Sequence, residues 1–195
     1  MLIDGDDILA IAGLDLLAQG TLAKKTLVCT VMSNVGLDTA ITAAGGRVVR
    51  TAVGDRQVID EMLRHGCNFG GEQSGHIIFR DYSSTGDGLV AALQVLRIMR
   101  AKGQPLSKLA RCWTRFPQLV TNIVVREKRP VEELENVSQL VAEAERELKP
   151  QGGRVFLRYS GTEPKARLLL EGRERASLEK WAHEISEAIR RQIGG

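Results

Sequence analysis

The sequence predicts an α/β fold: a mixed, mainly parallel α/β layer domain followed by a small α+β domain. Short β-rich segments alternate with helical patterns through roughly the first hundred residues, which is typical of parallel strands joined by helices. A break at residues 103–105 and the pair Phe116 and Pro117 interrupt this alternation. Beyond the break, the predicted order is β-α-β-β-α. We therefore expect one domain over residues 1–115 and a second over residues 118–195.

The elements of the first domain are predicted from apolar spacing and from the residues that begin and end helices. Asp6 and Asp7 are expected to cap a first helix that runs to about residue 18. The next elements are a strand at 26–31, a helix at 34–44, a strand at 47–53, a helix that opens at Asp55 and closes at Gly66, and short strands at 68–71 and 76–79.

A longer helix is predicted at residues 85–100. Four apolar side chains share one face of it, namely Leu89, Leu93, Leu96 and Met99. Further apolar residues, Val90, Val95 and Ile98, lie elsewhere on the helix. Because apolar side chains occupy more than one face, we expect this helix to be well buried.

The second domain has its own periodicities. An amphipathic helix is predicted over 137–148, because apolar residues recur there at helical spacing. Strands are predicted at 119–125, 154–158 and 166–171, and a final helix at 178–189. We expect the two helices to cover one face of the sheet.

Composition argues against several classes of function. Lys and Arg number 27 and Asp and Glu 24, so the net charge is only +3, and aromatic residues make up 4% of the chain. A nucleic-acid-binding protein usually carries clustered basic charge and aromatic stacking platforms. We therefore expect no nucleic-acid partner, and the small positive excess is compatible with a small anionic ligand.

The cysteines and the apolar segments bear on the cellular compartment. The three cysteines, Cys29, Cys67 and Cys112, are far apart and sit among apolar neighbours. This pattern favours buried thiols over a disulfide framework or a zinc site, and a reducing cytoplasm fits best. The apolar segments are too short to span a bilayer, so we expect no membrane association.

A first candidate site lies between the short strands at 68–71 and 76–79. Here Glu72, Gln73, Ser74 and His76 surround Gly75. A carboxylate accepts hydrogen bonds from neighbouring sugar hydroxyls, while hydroxyl and amide groups donate or accept. The alternative is a polar hairpin turn that binds nothing.

A second candidate site joins two strands of the small domain. Arg158 and Arg167 flank a loop with two hydroxyls and a glycine, Ser160, Gly161 and Thr162. Guanidinium groups match phosphate oxygens bidentately, and the glycine is expected to expose backbone N–H groups in an anion-binding nest. The alternative is an ordinary turn between solvated arginines.

Four other polar segments are weaker candidates. Ser33 and Asn34 follow a strand and are expected mainly to cap the next helix. Asp55 is a predicted N-cap, and Arg56 beside it could meet a phosphate. Residues 84–88 are interpreted as a turn and cap. The acidic group at residues 4–7 could suggest Mg²⁺, but its spacing favours helix capping.

Taken together, these loops resemble those of a known family. The segments G-E-Q-S-G-H at 71–76 and R-Y-S-G-T-E-P at 158–164 resemble two signature loops of the α-D-phosphohexomutases. With T-V-M-S-N, V-G-D-R and T-G-D-G, the set looks most like the branch whose sugar is glucosamine. The resemblance covers essentially the whole chain, which looks like most of the third and all of the fourth of the family's four domains.

The resemblance implies roles for individual residues. Glu72 and Ser74 would bind sugar hydroxyls, while Arg56 and His76 would line the cleft near the reacting end. The phosphate that is not being transferred would be held by the second loop, namely Arg158, Ser160, Gly161, Thr162 and Arg167. The implied reaction converts a hexose 6-phosphate to its 1-phosphate through a bisphosphate intermediate.

The resemblance also has gaps. The family's phosphoserine lies in a Ser-His-Asn-Pro loop and its Mg²⁺ in an Asp-Gly-Asp-x-Asp-Arg loop, and neither motif occurs in this sequence. We therefore expect the chain to bind a sugar phosphate but to be inactive alone. Mg²⁺ and a hexose 1,6-bisphosphate primer would belong to the full-length enzyme, and the N-terminal domains of the same polypeptide would be the partner. The alternatives are a fragment that acts on glucose or mannose phosphates, or a stand-alone sugar-phosphate-binding module.

Overall fold

A computed structural model describes residues 2–195 and contains two separate sheets, each in its own unit. The units are Met1–Arg115 and Phe116–Gly195. The first is a layered α/β unit with a mainly parallel sheet, and the second is an α+β unit with an antiparallel sheet. The predicted fold class is confirmed.

The sheet of the first unit has four strands in the order β2-β1-β3-β4. They are β1 (Thr26–Thr30), β2 (Arg47–Thr51), β3 (Phe69–Gly71) and β4 (Ile77–Phe79). β1 pairs in parallel with β2 and β3, while β3 and β4 form an antiparallel hairpin. Every residue of β1 is buried, as expected for a central strand covered on both faces.

The described residues of this unit form the α-helices α1 (Gly5–Ala18), α2 (Gly36–Ala43), α3 (Asp55–His65), α4 (Gly88–Lys102) and α5 (Leu106–Leu109). The predicted cap of α1 is wrong, because Asp4 is the N-cap. Its side chain accepts from the backbone N–H groups of Asp6 and Asp7 at 3.0 and 3.3 Å. The Asp7 carboxylate accepts in return from the Asp4 N–H at 3.0 Å, which completes a capping box.

The start of α3 also differs from the prediction. Gly54 is its N-cap, and the Asp55 carboxylate accepts from the backbone N–H of Arg56 at 2.7 Å instead of capping the helix. Asp87 does cap α4, because its side chain accepts from the N–H groups of Leu89 and Val90 at 2.8 and 3.0 Å. The turn-and-cap interpretation of residues 84–88 is therefore confirmed.

The predicted burial of α4 is wrong for its leucine face. Val95 and Ile98 pack into the core, whereas Leu89, Leu93 and Leu96 are 78%, 64% and 56% exposed. Apolar side chains lie on two sides of this helix. Helical periodicity places residues on faces, but it does not determine which face meets the sheet.

The sheet of the second unit is antiparallel, in the order β5-β7-β6. Its strands are β5 (Gln118–Val124), β6 (Arg154–Tyr159) and β7 (Lys165–Glu171), and its helices are α6 (Glu135–Leu148) and α7 (Arg175–Ile193). Leu168 and Leu170 of β7 join a buried cluster with Trp181 and Ile185 of α7. Burying each such side chain contributes about 1.5–3 kcal/mol, which holds both helices on one face of the sheet.

The thiols follow the prediction in two of three cases. Cys29 and Cys67 are buried, but Cys112 is exposed in the turn after α5. Apolar neighbours in the sequence do not bury a side chain when the segment lies at the surface. Across the part of the chain that the structure describes, no helix combines the length and hydrophobicity needed to cross a membrane.

Candidate functional site

The first candidate site is the turn of the β3–β4 hairpin, residues 72–76. The Glu72 N–H donates to the His76 carbonyl at 2.9 Å, and the Gly75 N–H donates to the Glu72 carbonyl at 3.0 Å. Gly75 has a φ of 101°, in the region that favours glycine. These bonds fix the turn and leave Ser74 and His76 exposed at its tip.

Three motifs that are distant in the sequence meet at this turn. The Glu72 carboxylate accepts from the Gly54 N–H at 3.0 Å, and His76 Nε2 lies 3.8 Å from Asp55 Oδ2. A Cβ atom on Gly86 would lie only 2.2 Å from the His76 ring, so the glycine allows this close packing. The V-G-D-R, G-E-Q-S-G-H and T-G-D-G segments therefore form one cluster.

Arg56 stands beside this cluster with its side chain 88% exposed. Its ion pair with Asp60 is 3.9 Å long, which is weak at the surface. The guanidinium is therefore available to an incoming anion. Glu72, in contrast, already uses one carboxylate oxygen on Gly54, which orients the side chain and leaves the other oxygen to accept further hydrogen bonds.

The start of α1 supports the 72–76 turn from behind. The Gly5 N–H donates to the Gln73 carbonyl at 3.0 Å. A Cβ at Gly5 would come within 2.2 Å of the Glu72 carbonyl oxygen and 2.6 Å of the Gln73 carbonyl oxygen. The helix can approach the turn this closely only because residue 5 has no side chain.

Asp6 fixes the loop that follows β1. It is 1% exposed, and its carboxylate accepts from the Asn34 N–H at 2.9 Å. Burial raises the pKa of Asp6 to about 6, outweighing the hydrogen bonds from Asn34 and Ser33 that lower it. Asp6 therefore ties the start of α1 to the loop at residues 30–34.

The prediction that Ser33 or Asn34 caps α2 is wrong, because Val35 is the N-cap and no side chain caps this helix. Ser33 and Asn34 are both buried, and the Asn34 side chain accepts from the Gly36 N–H at 3.0 Å, where α2 begins. Arg50 was not predicted as a functional residue. It donates to the carbonyls of Thr30 and Ser33 at 3.1 and 2.8 Å and pairs with Asp38. Arg50 thus fixes the same loop, and its place on a strand gave no sequence signal.

The second candidate site is built on the sheet of the second unit. Asn122, Arg167 and Arg158 are direct neighbours across β5, β7 and β6. Since Leu168 and Leu170 pack against the helices, strand alternation places Arg167 on the opposite face. Arg158 shares that face as its cross-strand partner. We call Arg158 and Arg167 the arginine row.

The arginine row carries unbalanced positive charge. Like charges directly opposite each other on neighbouring strands are destabilising unless an anion lies between them. Glu163 binds Arg167 at 2.9 Å and Lys165 at 2.5 Å, and hydrogen bonds from these two cations hold the pKa of Glu163 below its usual value. Glu163 therefore pairs with Arg167 and Lys165 and leaves Arg158 without a carboxylate partner among residues 2–195.

Hydrogen-bond donors on both arginines of the arginine row remain unused. The Nε–H of Arg167 is buried and has no hydrogen-bond partner among residues 2–195. Arg158, which is half-buried, has no side-chain hydrogen bond or ion pair within the same residues. A buried unsatisfied donor in a native fold needs an explanation, and an oxyanion ligand would provide one.

The loop at residues 160–164 closes one end of the row. Ser160 is 4% exposed, and its hydroxyl accepts from the Glu163 N–H at 3.3 Å. Gly161 and Thr162 are exposed, and no heavy atom lies within 4 Å of a Cβ built on Gly161. Gly161 is not in the left-handed conformation, so the loop offers open space and a hydroxyl in place of the expected nest of that type.

Lys128 was missed by sequence reasoning. Its ammonium group donates to the Ser160 carbonyl at 2.6 Å and brings a further cation to the loop. It lies 32 positions earlier in the chain, so no local motif connected the two. With Lys165, which pairs with Glu163, this unit brings two cations to the site that the sequence had not suggested.

The acidic group at residues 4–7 is committed to structure. Besides the capping box, Arg115 donates to Asp4 at 2.6 Å, and the Trp113 indole donates to Asp7 at 3.0 Å. Within residues 2–195, no group of three or more His, Cys, Asp or Glu side chains is arranged to hold a metal ion. Asp4 and Asp7 are thus engaged in capping α1 and in hydrogen bonds from Arg115 and Trp113.

Comparison with known sequences identifies both units as phosphohexomutase domains. The model of the phosphoglucomutase/phosphomannomutase alpha/beta/alpha domain III matches residues 4–116. The model of the phosphoglucomutase/phosphomannomutase C-terminal domain matches residues 120–188. The chain belongs to the phosphoglucomutase/phosphomannomutase family.

Among curated relatives, the chain is similar to phosphoglucosamine mutases. It is 52% identical over 193 residues to that of Anaeromyxobacter sp. (strain Fw109-5), which covers 99% of this chain and 41% of the relative. It is 50% identical over 193 residues to that of Geotalea daltonii, and this alignment covers 99% of this chain and 42% of the relative. The chain thus spans about two-fifths of the length of these relatives and corresponds to their C-terminal part.

Solved structures agree on the fold. An Aspergillus fumigatus N-acetylphosphoglucosamine mutase superposes with a TM-score of 0.80 at 21% identity, covering 98% of this chain and 44% of that one. The structure of that enzyme in complex with GlcNAc-6P and magnesium gives a TM-score of 0.77 at 20% identity, with the same coverage.

Proposed function

We propose that this chain supplies the sugar-hydroxyl and distal-phosphate binding loops of a phosphoglucosamine mutase and does not turn substrate over by itself. The full reaction would interconvert glucosamine 6-phosphate and glucosamine 1-phosphate through a bisphosphate. In that reaction a phosphate not undergoing transfer needs a fixed clamp. Phosphoryl transfer depends mostly on positioning and charge neutralisation.

The observation that carries this proposal is the arginine row. Arg158 and Arg167 stand side by side, with a buried unpaired Nε–H on Arg167, and the nearby Glu163 pairs with Arg167 and Lys165 but not with Arg158. A phosphate dianion would satisfy these donors with charge-assisted, bidentate hydrogen bonds. Thr162, exposed beside the row, would add a hydroxyl.

The turn at residues 72–76 supports sugar binding by the first unit. Its exposed Ser74 hydroxyl, the remaining Glu72 oxygen and the His76 ring are the groups that bind hydroxyls or exchange protons. We propose His76 and Arg56 near the reacting end and Glu72 and Ser74 on the sugar. Mg²⁺ and a hexose 1,6-bisphosphate primer are proposed as requirements of the complete enzyme, not as ligands of this chain.

The names of the curated relatives favour glucosamine as the sugar. Two alternatives are a fragment acting on glucose or mannose phosphates and a stand-alone sugar-phosphate-binding module. Calorimetric titrations with glucosamine 6-phosphate, glucose 6-phosphate and mannose 6-phosphate distinguish the proposal from the first alternative. The proposal requires glucosamine 6-phosphate to bind most tightly of the three.

The variant Arg167→Ala tests the phosphate clamp. It removes a charge-assisted contact worth about 1.5–3 kcal/mol, so affinity for glucosamine 6-phosphate should fall about 10- to 100-fold in calorimetry. The matched control is Arg175→Ala on α7, whose side chain is 73% exposed and pairs only with Glu179 at 2.8 Å. Equal affinity for the wild type and Arg167→Ala would refute the clamp.

A further inference from the structure

Lys128 holds one peptide group of the loop at residues 160–164. Its ammonium group donates to the Ser160 carbonyl at 2.6 Å, and among residues 2–195 it makes no other hydrogen bond and no ion pair with a carboxylate. Arg167 and Lys165, in contrast, both pair with Glu163. The positive charge of Lys128 is therefore not balanced by a carboxylate, and it lies directly against the loop.

The backbone segment that carries Lys128 is itself anchored. The Val125 N–H donates to the Pro164 carbonyl, at the far end of the loop, at 2.9 Å. The Arg126 N–H donates to the Ile193 carbonyl, at the end of α7, also at 2.9 Å. Lys128 therefore reaches the loop from a backbone that is fixed both to the loop and to α7, so the position of its ammonium group is well defined.

The planarity of the peptide bond converts this contact into a direction for the next N–H group. The Ser160 carbonyl and the Gly161 N–H belong to one trans peptide bond, so they point in opposite directions. Because Lys128 holds the carbonyl, the Gly161 N–H is directed away from Lys128. Gly161 and Thr162 are both exposed, and neither N–H has an acceptor among residues 2–195. The loop thus presents two consecutive unused backbone donors, and the direction of the first is set by Lys128.

We propose that Lys128 is a positioning residue of the phosphate site, which orients and polarises the Ser160–Gly161 peptide so that the Gly161 N–H donates to the bound oxyanion. A cation on the carbonyl strengthens the N–H of the same peptide as a donor, because linked hydrogen bonds polarise one another. A hydrogen bond from a backbone N–H to an oxyanion is charge-assisted and stronger than a neutral one. The inference rests on the proposed phosphate clamp and adds to it a residue outside the loop.

Nuclear magnetic resonance of the full chain, titrated with inorganic phosphate at constant ionic strength, tests the proposal. In the wild type, phosphate should move the Gly161 amide proton downfield. Lys128→Met removes the cation and keeps an unbranched stem, so it should abolish this movement and weaken phosphate binding about 10-fold. Without phosphate, the Gly161 proton should already lie upfield of its wild-type position, because its peptide is no longer polarised. Lys128→Arg keeps a cationic donor and should bind phosphate as the wild type does.

Lys149→Met is the matched control, because it removes the same charge from an exposed lysine of the same unit. The Lys149 side chain makes no hydrogen bond or ion pair among residues 2–195, and it precedes the start of β6, whereas Ser160 follows the end of that strand. Lys149→Met should bind phosphate as the wild type does. Equal weakening by both methionine variants would assign the effect to net charge and overturn the proposal.

Comparison with Arg167→Ala separates this inference from the clamp. If Arg167→Ala weakens phosphate binding while Lys128→Met binds as the wild type does, the role of Lys128 is refuted and the clamp stands. If Lys128→Arg fails to restore binding, the role of Lys128 is likewise refuted. If the wild type binds no phosphate, or Arg167→Ala binds it equally well, the clamp and the role of Lys128 are both refuted.

Discussion

Asp6 is a carboxylic acid held in a buried position, and this affects how stability depends on pH. Burial raises its pKa from the ordinary 3.8 to about 6. The folded protein therefore binds this proton more tightly than the unfolded chain does. The resulting stabilisation is fully present below about pH 4 and is lost as the pH rises through about 6. A shift of about two units corresponds to about 3 kcal/mol.

The substitution Asp6→Asn removes this titration and keeps a carbonyl oxygen to accept from the Asn34 N–H. We expect the free energy of unfolding of the wild type, relative to Asp6→Asn, to fall by about 2–3 kcal/mol between pH 4 and pH 7 in urea denaturation. Asp4, whose pKa is lowered by Arg115 despite its burial, is present in both proteins and cancels. A pH-independent difference between the two proteins would contradict this assignment.

At the residue scale, motifs indicated the groups with recognisable chemistry but not those that act through distant backbone. Arg158 and Arg167 were candidates because two arginines flank a short polar loop. Lys128 and Arg50 were not candidates, because neither belongs to a local pattern. Lys128 contacts a carbonyl group 32 positions away, and Arg50 contacts carbonyl groups 17 and 20 positions away. The buried Nε–H of Arg167 likewise depends on strand pairing, which the sequence does not specify.

At the scale of elements, the approach of α1 to the 72–76 turn depends on Gly5. A Cβ there would overlap the carbonyl oxygens of Glu72 and Gln73, which are backbone atoms and cannot rotate away. We expect Gly5→Ala to destabilise the protein by roughly 1–3 kcal/mol and to weaken ligand binding at the turn, measured by thermal unfolding and calorimetry.

Gly88→Ala is the matched control for this substitution. Gly88 also occupies the first position of a helix, α4, but no heavy atom lies within 4 Å of the Cβ that alanine would add. The stability of the Gly88→Ala variant should equal that of the wild type or slightly exceed it, since alanine favours the helix. If both variants unfold alike, close packing at Gly5 is not what holds the turn.

Most elements could be predicted from local patterns, because short apolar strands and glycine-terminated helices carry their own signals. Gly66 ends α3 and Gly103 ends α4, both in the left-handed conformation. Caps and exposed faces were harder. Asp4 rather than Asp6 caps α1, because the Asp4 side chain is the one that reaches the first N–H groups of the helix. Which face of α4 stays exposed depends on packing beyond the helix.

At the scale of the whole molecule, the fold class and the order of the two units followed from the alternation of elements and its interruption near residue 116. The sheet order β2-β1-β3-β4 did not, because short strands such as β3 and β4 carry too little pattern to fix their neighbours. The family match covers domain III and the C-terminal domain, while the relatives are more than twice as long.

The central claim is that this chain is the ligand-binding half of a mutase, and a turnover assay tests it most directly. Conversion of glucosamine 6-phosphate to the 1-phosphate is measured with Mg²⁺ and a hexose 1,6-bisphosphate primer, for this chain alone and for the chimera with the N-terminal part of the Anaeromyxobacter relative. We predict turnover by the chimera and none by the chain. Sustained turnover by the chain alone, or a folded chimera without activity, would contradict the account.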